Sequence, residues 1–381
     1  MNKVLFFSAG EISGDIHAAN LIMALKNLDK DIEFVGNGGK NMVKTGLKII
    51  YKDMVSYSTV GLTDSLRFLK FHKENWKFTT EYLKNNKVDA VILVDHQGFN
   101  IPLAKFCKKN KIKVYYYFPP HVSIWGKWNA KKLPKFLDGL FVTFFDDYLI
   151  YKKFTSKVYY YGHPIVENIE KFELNKDFFE KYNIEKNKQI IGIFPGSRYQ
   201  EIEGLTKIML DAAKLISKEF DIHFVISSAY PVFTDYISSM VEKSGLTNVS
   251  VVQNESYSIM KISKVIIAAS GTTTLEASLF EKPVVICYKI SNLSFFIGKM
   301  LVRKKMIGMP NIIFGEKFLP ELLQKNCNEN KIYKKTVEFL KISEQEKIKL
   351  NNFFRILKEK VGKPPIIEKI ASKIYEETFN G

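Results

Sequence analysis

Nowhere does this chain hold the ~20 consecutive apolar residues that a membrane span requires. The N-terminal apolar run, Val4–Ala9, is too short for a secretory leader and is followed at once by Glu11 and Asp15. Anything the chain does at a membrane is therefore expected to be done from one side. Cysteine is scarce as well: Cys107, Cys287 and Cys327 are odd in number and far apart, and no C-x-x-C occurs. That excludes a disulfide framework and a zinc knuckle, and it fits the reducing cytosol. The six histidines form no H-x-x-x-H or H-E-x-x-H pair, so no metal and no cofactor is expected. Acidic residues are in deficit, 40 against 57 lysines and arginines, which leaves a net charge of +17. Such an excess suits an anionic partner: a nucleic acid, an acidic membrane surface or phosphorylated ligands. A lysine-rich surface without any partner accounts for it equally. No RNP, KH or zinc-finger pattern accompanies the charge and the basic residues are spread out, so no nucleic-acid partner is expected.

What remains is ample: 381 residues, 46% of them hydrophobic, suffice for two domains with full cores. The chain is organised around residues 190–205. An apolar run, Ile190 to Phe194, reads as a buried parallel strand and stops at Pro195-Gly196. Ser197 then stands where a helix N-cap is wanted, with Gln200 as its capping-box partner. Such a loop turns backbone N–H groups and a helix start toward an anion, and Arg198 adds a cationic fork. A diphosphate site fits this pattern, and so does a purely structural turn.

The N-terminus repeats the pattern, with a strand at Val4–Phe7, the turn Ser8–Asp15, and a helix through Leu25. Two such openings predict two Rossmann-like halves with parallel sheets. Glu11 and Asp15 are helix-dipole partners or site residues on this basis. Further strands are expected at 33–35, 90–94, 114–118, 139–144 and 158–161, then at 224–226, 249–252, 265–268 and 283–288. Asp95 ends the strand at 90–94, where open α/β sheets bind ligands, so it is a candidate general base; capping a helix that begins near Pro102 is the rival role. His163 reads as a turn residue ahead of Pro164. Ser270, Gly271, Thr272 and Thr274 open another helix suited to phosphates, and Glu276 is placed to accept from a ribose diol. Two basic stretches with aromatics, 62–83 and 292–306, read either as lipid-facing helices or as core-packed ones. Past Pro320 the chain is expected to be helical to its end. The expected division is 1–166 for the first domain, 167–188 for a linker, 189–345 for the second domain, and 346–381 for a terminal helical segment that can pack back on the first.

Five motifs in order carry a resemblance: Ala9–Asp15, Pro195–Arg198 with Glu201-Ile202, Ser270–Glu276, Met309-Pro310-Asn311 and Pro320–Gln324. From Val4 past Gln324 the chain resembles the lipid-A-disaccharide synthase family, inverting glycosyltransferases of the GT-B architecture with two facing Rossmann-like domains. The resemblance implies transfer of 2,3-diacylglucosamine from its UDP derivative to 2,3-diacylglucosamine 1-phosphate, with a β-1,6 disaccharide and UDP as products. It implies a metal-free reaction, UDP in the C-terminal half, the lipid acceptor in the N-terminal half, and a peripheral place on the cytoplasmic face of the inner membrane. Family members can also form swapped homodimers. Asp95 falls on the base of the family, and Glu11, Arg198, Asn311 and Glu321 fall on positions important for activity. Two segments depart from the family pattern. Pro119–Gly126 replaces Ser-Pro-x-Val-Trp-Ala-Trp-Arg, whose last two residues fall on Lys127 and Trp128, and Gln97-Gly98 precede Phe99-Asn100 in place of Pro-Asp. Both lie on the acceptor side and bear on acceptor specificity. Another GT-B enzyme of UDP-sugars, such as a 2-epimerase or a transferase with a different lipid acceptor, or a non-catalytic sugar-nucleotide binder fits the same donor motifs.

Overall fold

The computed structural model describes residues 3–55, 65–124, 128–289 and 306–380. The chain forms two compact units, residues 1–167 with 361–381, and residues 168–360. The first unit is built on a seven-stranded sheet: β1 (Lys3–Ala9), β2 (Ile32–Asn37), β3 (Lys48–Ile49), β4 (Ala90–Val94), β5 (Val114–Tyr117), β6 (Gly139–Val142) and β7 (Val158–Tyr160). Its order is β3-β2-β1-β4-β5-β6-β7 and every pairing is parallel. A parallel sheet covered by helices on both faces needs apolar residues at consecutive positions rather than alternate ones. β4 obeys this strictly, with all five of its residues at 0% exposure, and Tyr115, Tyr116 and Tyr117 of β5 are buried alike.

The second unit repeats the plan with six parallel strands: β8 (Gln189–Phe194), β9 (Ile222–Ser228), β10 (Val249–Gln253), β11 (Val265–Ala269), β12 (Val284–Tyr288) and β13 (Glu321–Leu323). Their order is β10-β9-β8-β11-β12-β13. In both sheets the order reverses beside the first strand, between β1 and β4 in one and between β8 and β11 in the other. Crevices at such switch points, outside the C-terminal strand ends, are where open α/β sheets take ligands.

Several expectations need correction. The chain past Pro320 is not wholly helical, because Glu321–Leu323 pairs with β12 as an edge strand. Three residues, like the two of β3, are too short to carry an apolar period. The helix after Asp95 spans Gln97–Lys109 with Pro102 inside it, and the helix after β1 runs to Leu28. Residues 168–188 pack on the second unit, where Phe172 meets the rings of Tyr257 and Phe280 edge-on at 5.6 and 5.9 Å. The helix Glu344–Val361 also serves that unit, Phe353 lying 4.8 Å from Phe314 and 4.5 Å from Phe318. Return to the first unit begins at Val361, whose carbonyl accepts from His163 N at 2.8 Å. Glu167 then accepts from the amides of Ile366 and Ile367, and the helix Ile367–Tyr375 packs against Ile12–Leu28.

Of the two basic amphipathic stretches, 292–306 lies outside the described residues apart from Met306. The other forms the helix Ser65–Asn85, which buries Phe71 and Leu83 and packs Trp76 on Phe99 while leaving Phe78 exposed. Among the described residues no helix is long and apolar enough to cross a membrane, and all three cysteines are buried and free.

Candidate active site

Asp95 stands at the β1/β4 switch point in a strained backbone. Its φ is +51° and that of His96 is +43°, so two consecutive non-glycine residues are left-handed. Each such residue costs roughly 1–2 kcal/mol, and such strain persists only where neighbours over-determine it. Here the neighbours are identifiable. The Asp95 carbonyl accepts from Asn100 Nδ2 at 2.9 Å and from Tyr116 Oη at 2.7 Å, and its own N–H reaches Tyr117 O at 3.3 Å. Asn100, fully buried, also donates to the carbonyls of Ser8 and Val94 and accepts from Ser8 Oγ at 2.7 Å. The N-cap of the following helix is His96, and no side chain caps it. The Asp95 side chain is half-buried, and desolvation raises its pKa above the ordinary carboxylate value. The charge of His121 and the His96 amide pull the other way.

The turn after β1 lies against this loop. Gly10 is required there, since a Cβ would come within 2.4 Å of His96 Nδ1. Glu11 is exposed and precedes the helix Ile12–Leu28, its carbonyl accepting from Asp15 N at 2.9 Å. Asp15 is buried and serves the fold: it takes the amides of Gly39, Asn41 and Met42 at the start of the short helix Lys40–Thr45. His96 is held neutral by burial, which drives it down to about 4, and His17 behaves the same way. His163 is buried as well, with Nδ1 accepting from Ile165 N at 3.2 Å in the turn around Pro164.

In the second unit the loop after β8 differs from expectation at its cap. The N-cap of the helix Tyr199–Ser217 is Arg198, one residue later than Ser197, and the reciprocal partner is Glu201 rather than Gln200. Gly196, at φ +121°, gives the sharp turn. Glu201 Oε2 accepts from Ser197 N at 3.1 Å and Arg198 N at 3.3 Å, so it occupies the amides an anion would use. The Arg198 guanidinium is exposed and reaches Glu201 Oε1 at 3.4 Å. Facing it across the β8/β11 switch point, Ser270 Oγ donates to Ile307 O at 2.9 Å and Thr274 Oγ1 to Gly271 O at 2.7 Å, so both hydroxyls secure the turn. Thr272 is exposed, and the space where Gly271 would carry a Cβ is open. Glu276 is pushed up to about 7 by desolvation, and the Tyr257 hydroxyl donating to it at 3.0 Å works against that rise.

Asn311 and Glu321 form a buried keystone. Asn311 Nδ2 donates to Leu319 O and Glu321 Oε1, both at 2.9 Å, while its Oδ1 accepts the amides of Phe318 and Leu319. Glu321 also takes the amides of Ile307 and Gly308. In this conformation both side chains shape the loop that leads into β13. Sequence reasoning missed Tyr116, His121 and Asp147, and it left Asn100 and the motif residue Glu201 without a structural role. Only the Glu201 spacing, three residues after the true cap, could have signalled one of them.

The family model for Lipid-A-disaccharide synthetase matches residues 5–369. A Lipid-A-disaccharide synthase of Sulfurihydrogenibium sp. (strain YO3AOP1) is 37% identical over 389 residues, covering 98% of this chain and 97% of that protein. Its counterpart in Persephonella marina (strain DSM 14350 / EX-H1) is 37% identical over 383 residues, covering 98% and 99%. Among solved structures, S. aureus MnaA with UDP is similar at a TM-score of 0.68 and 13% identity, covering 99% of this chain and 97% of that one. A glycosyltransferase from Rickettsia africae ESF-5 gives 0.57 at 16% identity, with 100% of both chains covered. These structural likenesses speak for the fold, two parallel-sheet α/β domains of the GT-B kind.

Proposed function

The chain belongs to the lipid-A-disaccharide synthetase family, and from that premise we propose how its two units divide one glycosyl transfer. It is a glycosyltransferase, a lipid-A-disaccharide synthase. The donor is UDP-2,3-diacylglucosamine and the acceptor 2,3-diacylglucosamine 1-phosphate. The acceptor hydroxyl attacks the anomeric carbon, and its proton passes to the Asp95 carboxylate. The bond from that carbon to the diphosphate oxygen breaks, with its electron pair leaving on UDP. A carboxylate raised by burial is a better proton acceptor than one in water, provided it is ionised at the working pH. The observation that carries this assignment is the position of Asp95 at the β1/β4 switch point, held in a left-handed backbone by Asn100 and Tyr116.

The donor diphosphate is taken by the Gly196-Ser197-Arg198 turn together with Ser270, Gly271, Thr272 and Thr274, and the ribose diol by Glu276. UDP binding there requires Glu201 to release the amides of Ser197 and Arg198. Glu11 serves from the loop beside Asp95, while Asn311 and Glu321 act by holding the 306–323 loop in shape. No metal and no other cofactor has a part in this scheme. The protein works peripherally on the anionic cytoplasmic face of the inner membrane. Its net charge of +17 and the exposed Phe78 among the lysines of the helix Ser65–Asn85 support this. A homodimer belongs to the same scheme through the family resemblance alone.

The test is thin-layer assay of the purified protein with UDP-diacylglucosamine and the monosaccharide 1-phosphate. Disaccharide 1-phosphate and UDP should appear together. UDP released without disaccharide, or a donor epimerised at C2, would overturn the scheme.

A further inference from the structure

Glu276 stands four residues after Thr272 in the helix Thr272–Leu279, one turn and ~6 Å along the axis from its exposed start. A glutamate has three rotatable side-chain bonds, and freezing them on binding costs affinity. Here part of that ordering is done in advance. Tyr257 Oη donates to Glu276 Oε1 at 3.0 Å, and among the described residues no second hydrogen bond reaches this carboxyl. Oε2 is left for an incoming hydroxyl.

Tyr257 is itself fixed. It belongs to the helix Ser256–Ile262 after β10, and its ring meets Phe172 edge-on at 5.6 Å and Phe280 at 5.4 Å. Those two rings meet each other edge-on at 5.9 Å. Such separations and angles are the favourable ones for aromatic pairs. Phe172 precedes β8 and Phe280 ends the helix that carries Glu276, so three parts of the second unit converge on one ring. A phenylalanine at 257 would meet both ring contacts equally well. The hydroxyl is what the pairing with Glu276 adds.

We propose that Tyr257 is a positioning residue that holds Glu276 through Oε1 and so sets the preference for a ribose over a deoxyribose nucleotide. The inference rests on the assignment of Glu276 to the ribose diol. A diol offers two O–H donors, and a carboxylate accepts from both only when it is already turned toward them. Tyr257 contributes to affinity without touching the nucleotide, by lowering the ordering cost of the group that does. Its hydroxyl also favours the ionised, accepting form of Glu276 against the desolvation that raises the group.

The experiment is titration calorimetry of the full-length protein with UDP and with 2′-deoxy-UDP, repeated for Tyr257→Phe and Glu276→Ala. The unaltered protein should prefer UDP about tenfold or more, the usual effect of losing a hydrogen bond to a charged group. Tyr257→Phe keeps the ring contacts and removes the hydroxyl. Its preference should fall about threefold or more, while affinity for 2′-deoxy-UDP changes by less than about twofold. An unchanged preference, or an equal fall in both affinities, would overturn the proposal, since a purely structural hydroxyl would weaken both nucleotides alike. Glu276→Ala separates the two ideas. If that variant keeps the full preference, Glu276 is not at the ribose and the assignment beneath the proposal fails. If it loses the preference and Tyr257→Phe retains it, only the role of Tyr257 fails.

Discussion

Asn100 Nδ2 donates to the main-chain carbonyl of Asp95 at 2.9 Å, and through its other contacts it ties that carbonyl to the ends of β1 and β4. Asn100→Ala would leave the carbonyls of Ser8, Val94 and Asp95 short of a partner in a buried place. Each buried group left unsatisfied costs about 1–3 kcal/mol. Urea denaturation should show a loss of about 2–4 kcal/mol, and kcat should fall in the protein that remains folded, because the left-handed turn at Asp95 relaxes. Full activity in a stable Asn100→Ala would mean that Tyr116 alone holds the turn.

The sheets were largely legible because parallel strands buried on both faces print as unbroken apolar runs; 90–94 and 190–194 are examples, and each of these two was placed within a residue. Long-range pairing is another matter. Nothing local announces that Asp147 will meet His121, or that Glu321 will take the amides of Ile307 and Gly308, since these contacts depend on how successive loops stack over the sheet. The Ser197 cap failed for a local reason. Serine is the better intrinsic cap, yet the acidic residue three positions on from Arg198 shifts the helix start by one residue.

Arg198 is paired with Glu201 through an exposed contact of 3.4 Å, worth less than ~1 kcal/mol. A diphosphate, offering charge-assisted bonds of about 1.5–3 kcal/mol, should displace it. Arg198→Ala should weaken UDP binding about tenfold or more in titration calorimetry. Unchanged affinity would remove Arg198 from the donor site.

Glu276 is held up to about 7 by desolvation, from an ordinary value of 4.5. The folded protein therefore holds this proton more tightly than the unfolded chain, and stability must fall as pH rises between those two values. Glu276→Gln keeps an acceptor for Tyr257 without the charge. Melting temperatures of the two proteins should coincide below pH ~4.5, diverge in favour of the variant as pH rises, and level off above ~7. Parallel curves would show that Glu276 titrates normally.

Binding to anionic vesicles should be measurable by co-sedimentation at low ionic strength, given the net charge of +17. Each lysine or arginine near such a surface contributes up to ~1 kcal/mol and is screened by salt. Binding should weaken as salt rises without vanishing, because exposed apolar groups such as Phe78 add contact that salt does not screen. Absence of binding at low salt would make the basic charge a solvated surface only.

Asp95→Asn tests the centre of the scheme, and the backbone makes it a clean test. Asparagine and aspartate tolerate left-handed φ better than other non-glycine residues, so φ +51° should survive the change. The carbonyl bonds from Asn100 and Tyr116 involve the main chain and remain. The carboxyl is raised by burial, which means that its ionised form costs stability at neutral pH. Removing that charge should therefore leave the melting temperature unchanged or slightly higher. Catalysis should move the opposite way, since general-base assistance is worth ~10²–10⁴ in rate. The expected result is a fall in kcat of at least ~100-fold, with UDP affinity retained and stability equal or improved. Near-normal turnover would make Asp95 structural. A large loss of stability would show that the carboxylate makes contacts in the folded protein that outweigh its desolvation.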